Sequence, residues 1–152
     1  MSQPKNPYKQ ADHHTLKAKR EGYPARSIYK LEEIDRRIRL LRPGQNVVDL
    51  GAAPGSWSMY VSKTVGRQGK VLAIDLSEIH TGLGPNVTVL QGDALNVASE
   101  VFVEHGPFDV VLSDMAPATT GNHSADQWRS FELCMRAIDI ARAHGKPGSS
   151  FV

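Results

Sequence analysis

Between Arg26 and Leu41, apolar residues fall at Ile28, Leu31, Ile34, Ile38 and Leu41, and these steps of three and four residues predict one helical stripe. Pro24 and Ser27 stand where such a helix would begin, and Pro43-Gly44 would end it. The pattern then changes. Asn46 to Leu50 is a short valine-rich run, predicted to be a buried strand. Trp57 to Val65 is a helix closed by Gly66. Lys70 to Leu76, Asn86 to Gln91 and Phe108 to Ser113 read as three more strands. Asp126 to Ala143 is a long helix carrying Trp128, Phe131, Met135 and Ile138 on one side, expected to face the core. Lys146-Pro147-Gly148 reads as a turn, and Ser149 to Val152 as the start of a fifth strand. Strands alternating with helical segments predict an α/β domain around a mostly parallel sheet.

At 152 residues, the chain suits one domain of ordinary size. Residues 1–15 show no periodicity and read as a mobile tail. The chain divides into a flexible basic tail over 1–20 and the domain over 21–152. No apolar run approaches the roughly 20 residues that cross a membrane, and the N-terminus lacks the apolar core of a secretory signal. The single cysteine, Cys134, suits a reducing compartment and is expected in the core. A cytoplasmic protein is the expectation. The formal net charge of +2 conceals an asymmetry: residues 1–42 carry 11 Lys/Arg against 5 Asp/Glu, and the rest of the chain 7 against 11. A basic arm on a mildly acidic body suits a polyanion such as nucleic acid.

Candidate chemistry gathers where the strands end. Asp49-Leu-Gly-Ala-Ala-Pro-Gly-Ser-Trp57 follows the first strand and opens a helix, which is the ligand position of doubly wound folds. Gly51 allows a tight turn and Gly55 a close ligand approach. A dinucleotide fingerprint would need glycine at 51, 53 and 56, but Ala53 and Ser56 occupy the last two positions. Pro54 also removes a backbone donor. Those departures favour a nucleoside without a pyrophosphate over NAD. Asp75 ends the second strand, where a carboxylate can accept both ribose hydroxyls. Asp93 follows the third strand, within reach of an adenine edge, and Asp114 follows the fourth. No convincing metal-ligand set is present; His13-His14 lie in a polar stretch.

Two segments, DLGAAPGSWS (Asp49–Ser58) and SDMAPATTG (Ser113–Gly121), resemble the signature motifs of the FtsJ/RrmJ family of S-adenosylmethionine-dependent RNA ribose 2′-O-methyltransferases. RSIYKLEEID (Arg26–Asp35) resembles that family's N-terminal helix motif, so the likeness covers about residues 20–152. It implies a Rossmann-like methyltransferase fold with S-adenosylmethionine as cofactor and RNA as partner, a large-subunit ribosomal RNA uridine being the closest case. It implies cofactor contacts from Gly51, Gly55, Ser56, Trp57, Asp75, Asp93 and Asp114, and catalytic roles for Lys30 and Asp114. Lys17, Lys19, Arg20 and Arg26 are expected to grip RNA phosphates, with Tyr23 or Tyr29 stacking on a base. The family's second catalytic lysine, its glutamate and its last strands would lie past Val152, so the domain is expected to be incomplete at its C-terminus. Two readings stay open: a monomeric methyltransferase, or a module of the same fold that binds RNA or cofactor without turnover.

Overall fold

A computed structural model of the chain describes residues 12–80 and 82–152. Five strands, β1 (Asn46–Leu50), β2 (Lys70–Asp75), β3 (Val87–Gln91), β4 (Phe108–Ser113) and β5 (Gly145–Phe151), pair in the order β3-β2-β1-β4-β5, all parallel. Helices cover both faces of the sheet. Ile28–Ile38 (α2) and Ser56–Val65 (α3) pack Leu31, Trp57, Val61 and Val65 against Val47, Val71, Val110 and Leu112. On the opposite face, Ser99–His105 (α4) and His123–His144 (α5) place Phe102 and Ala137 on Val48, Leu50, Leu72, Ile74 and Val111. Successive strand residues point to opposite faces, so β1, β2 and β4 need apolar side chains on both. That explains why NVVDL and FDVVLS read as runs rather than alternations.

From β1 the chain winds outward through β2 and β3, then crosses back to β4 and continues the other way to β5. The order reverses between β1 and β4, which opens a crevice at their carboxyl ends, the general ligand position of such sheets. Among the described residues no helix is long and apolar enough to cross a membrane.

Several expectations need correction. The flexible tail was expected to run to residue 20, but His13–Arg20 form a helix, α1. Asp12 caps it, accepting from the Thr15 N–H at 2.8 Å, and the same carboxylate pairs with Arg26. With Leu16 and Ala18 as its principal apolar residues, this helix leaves little periodicity to detect. The part of that tail over residues 1–11 lies outside the described residues. Helix α2 stops at Ile38 rather than Leu41, because Arg39 turns left-handed (φ 51°). Leu40 and Leu41 then enter the core in extended chain, held by the Asp35 carboxylate, which accepts from the Leu41 N–H at 2.8 Å. The turn at Lys146-Pro147-Gly148 falls inside β5, as an irregularity between the pairs Phe108–Gly145 and Val110–Ser150. Proline, which cannot donate a ladder hydrogen bond, is accommodated at that irregularity. Helix α4 had no counterpart in the sequence pattern.

Candidate functional site

The loop after β1 is built by its glycines and by Asp75. Gly51 has φ 76°, and a Cβ there would run into the Met115 side chain. The N–H groups of Gly51 and Ala52 both donate to the Ile74 carbonyl, at 2.8 and 3.0 Å, folding the loop over the end of β2. The Asp75 carboxylate then accepts from the Ala53 N–H (3.0 Å) and the Ser77 N–H (2.8 Å). Each oxygen keeps a second lone pair for another donor. Asp93 is fixed similarly: one oxygen accepts from the Leu95 N–H at 3.0 Å, and Asn96 donates to the other. Asn96 in turn accepts from Arg136 of α5 at 3.5 Å.

Gly51, Asp75, Asp93 and Asp114 all line one cleft of about 640 Å³ over the carboxyl ends of the strands. That volume lies within the roughly 300–1,000 Å³ typical of small-molecule sites. Lys30, which stands 84 residues before Asp114, donates from Nζ to Asp114 Oδ1 at 3.1 Å. Folding therefore brings the two expected catalytic residues into contact at the cleft edge, where both remain open to solvent.

Gly55, Ser56 and Trp57 open α3 at the far end of the loop, and Ser56 and Trp57 line a smaller cavity together with Gly51 and Asp114. Gly55 supplies the left-handed residue (φ 110°) that starts α3. The Ser56 hydroxyl accepts from the Ala25 N–H at 2.9 Å and donates to the Ala25 carbonyl at 3.3 Å. The buried Trp57 donates its indole N–H to the Ser27 carbonyl at 2.8 Å. These bonds latch the segment that opens α2 onto the start of α3, and so set where Lys30 can reach.

Beneath the loop lies Asp49, only 1% exposed. Its Oδ2 accepts from the Ser58 hydroxyl at 2.7 Å. Burial pushes the carboxyl up to about 7; the Ser58 hydrogen bond opposes the rise, and the Asp114 and Asp75 charges add to it.

Of the expected RNA-binding residues, Lys17, Lys19 and Arg20 form the exposed last turn of α1. Lys17 lies 3.7 Å from Glu21 and 4.7 Å above the Tyr29 ring, which leaves that face of Tyr29 covered. Tyr23 lies likewise under Lys63, at 5.3 Å. Arg26 is engaged with Asp12, whereas Lys19 and Arg20 have no ion-pair partner among the described residues.

Helix α5 departs most from expectation. Trp128, Phe131 and Met135 are exposed, as is Cys134, so none belongs to the core. Its stripe faces outward because Ala137, with Ile140 and Ala141 beside it, is the part of the helix that meets the sheet. Leu133 and Arg136 instead line the cleft, as does Met115. Sequence reasoning missed these three, and also Asp49 as a separate group. The available signals were a second stripe on α5 and one acid within an otherwise apolar strand.

A family model described as FtsJ-like methyltransferase matches residues 23–152. The chain is 62% identical over 149 residues to a ribosomal RNA large subunit methyltransferase E of Sorangium cellulosum, covering 98% of this chain and 70% of that protein. To the protein of the same description from Oleidesulfovibrio alaskensis it is 52% identical, covering 95% and 71%. Among solved structures, a Plasmodium falciparum protein assigned as a ribosomal RNA methyltransferase superposes with a TM-score of 0.75 at 25% identity, over 85% of this chain and 76% of that one. MycE methyltransferase of the mycinamycin pathway, solved with Mg and SAH, superposes with a TM-score of 0.57 at 18% identity, over 93% and 34%, and shares the fold.

Proposed function

Since the chain belongs to the FtsJ-like methyltransferase family, we propose that it transfers a methyl group from S-adenosylmethionine to a ribose 2′-oxygen of ribosomal RNA, acting in the cytoplasm as a monomer. The observation that carries this reading is the Lys30–Asp114 contact of 3.1 Å at the rim of a cleft lined by Asp75 and Asp93.

The cleft fits that cofactor in three respects. Asp75 is fixed by two backbone donors and keeps lone pairs for a ribose diol. Gly51 presents bare backbone where a side chain would collide with Met115. Three lining carboxylates, those of Asp75, Asp93 and Asp114, suit a ligand with positive charge. Gly51, Asp75, Asp93 and Asp114 are therefore the residues assigned to hold it. The bound cofactor supplies a methyl group already activated by positive sulfur.

The chain's own contribution is alignment and proton handling. Asp114 Oδ1 is occupied by Lys30, and Oδ2 is left to accept a hydrogen bond from the incoming 2′-hydroxyl. The Lys30 ammonium holds Asp114 in place and attracts the adjacent RNA phosphate. Fixing oxygen and methyl carbon in line can supply about 7–11 kcal/mol of the barrier in favourable cases. The last turn of α1, with Lys17, Lys19 and Arg20, and Arg26 beyond it, supplies phosphate contacts that carry the RNA toward Asp114.

The test is incubation with ribosomal RNA and a cofactor labelled in the methyl group, followed by alkaline hydrolysis. A 2′-O-methyl blocks alkaline cleavage, so label is expected in alkali-resistant dinucleotides. Label on a base would overturn the 2′-oxygen. Saturable binding of cofactor and RNA without transfer would instead favour the non-catalytic module.

A further inference from the structure

We propose that Asp49 is a proton-releasing counter-charge of the cofactor site: its buried carboxyl gives up a proton as the positively charged methyl donor binds, and regains it once transfer has left a neutral thioether. The inference rests on the cleft being the S-adenosylmethionine site.

Geometry places Asp49 for this role. In the sheet register it stands opposite Ala73 of β2 and Leu112 of β4, two residues short of Asp75 and Asp114. Three carboxylates thus end three adjacent strands around one loop. Asp49 alone among them is buried, at 1% exposure. The groups around it are few. Helix α3 contributes the neutral Ser58 hydroxyl, β2 contributes Asp75 and β4 contributes Asp114. The cation on this side is Lys30 of α2, already bonded to Asp114 and largely exposed. Arg129 and Arg136 of α5 line the cleft. No basic side chain hydrogen-bonds to Asp49 or pairs with it among the described residues. A small cavity of about 30 Å³, shared by Asp49, Gly51, Ser27 and Asp114, adjoins the carboxyl. It is large enough for about one water beside the carboxyl.

Burial and the two acidic neighbours hold the Asp49 carboxyl up to about 7, so near neutrality it exchanges between its protonated and charged forms. A ligand cation arriving above the loop reverses that electrostatic balance and favours the carboxylate. Transfer then breaks the carbon–sulfur bond and forms the carbon–oxygen bond. The electron pair stays on sulfur and the hydroxyl proton leaves to solvent. With the sulfur neutral, Asp49 takes a proton back from solvent. The same residue therefore favours substrate over product by charge.

Calorimetric titration of the full chain at pH 7, in phosphate and in Tris, measures protons from the dependence of heat on buffer ionisation. S-adenosylmethionine is expected to release a measurable fraction of a proton per site at pH 7 and almost none at pH 9, and S-adenosylhomocysteine less at pH 7. Asp49→Asn is expected to abolish the buffer dependence while still binding. If that variant does not fold, Ser58→Ala serves: without the donor that favours the carboxylate, release persists to higher pH. Heats equal in the two buffers, or equal release by the two ligands, would overturn the role of Asp49 and leave the cofactor site standing. No saturable heat at all would overturn the cofactor site, and this inference with it.

Discussion

Replacing Asp75 with asparagine changes one oxygen to an amide nitrogen and tests the cleft directly. In the native protein each Asp75 oxygen accepts a backbone N–H, from Ala53 at 3.0 Å and from Ser77 at 2.8 Å. An amide has one acceptor oxygen, so one of those donors would face an NH2 group instead. The ribose diol would likewise lose one charge-assisted hydrogen bond and keep a weaker neutral one. Hydrogen bonds to charged groups contribute about 1.5–3 kcal/mol each, against about 1 for neutral ones. Together these changes cost about 3 kcal/mol of cofactor binding, or roughly 100-fold in Kd. The orphaned donor sits in a loop that water can reach, so the fold should lose only about 1 kcal/mol, a fall in Tm of about 2–4 °C. Calorimetric titration with S-adenosylmethionine and a thermal melt measure the two effects separately. A Kd within threefold of the parent protein, with the melt unchanged, would remove Asp75 from the binding site.

Lys30→Met keeps the stem and removes the ammonium; methyl transfer to RNA should fall at least about 100-fold while cofactor affinity changes less than about twofold, in single-turnover and titration assays respectively. Replacing Lys17, Lys19 and Arg20 together with Gln should flatten the slope of log Kd for RNA against log salt by about 2–3, measured by fluorescence anisotropy. Trp57→Phe keeps an aromatic ring, though a smaller one, and leaves the Ser27 carbonyl without its 2.8 Å donor; about 1–3 kcal/mol should be lost in chemical denaturation. The raised carboxyl of Asp49 has a defined sign. The folded protein holds that proton more tightly than the unfolded chain, so the group's contribution is full below about pH 4 and is lost as pH rises through about 7. It amounts to as much as about 4 kcal/mol, and denaturation curves from pH 4 to 8 should show the decline in the parent protein but not in Asp49→Asn.

Sequence alone determined the alternation of strands and helices, because strands buried on both faces must be nearly continuous in apolar residues and helices must repeat every three to four. It also placed Gly51, Asp75, Asp93 and Asp114 at one edge of the sheet, since chain order reveals where each strand ends. Helix α1 was invisible: an N-cap and charge pairs hold it, and these leave no stripe to read. Tertiary structure decided the rest through contacts between distant segments. It brought Lys30 within 3.1 Å of Asp114, 84 residues away, and bonded Ser56 and Trp57 to residues 25 and 27. It turned the Trp128–Met135 stripe to solvent. It also made Asp49 unlike its neighbours, for a carboxyl's charge depends on what surrounds it, and the surroundings of Asp49 come from three strands and a helix that only folding assembles.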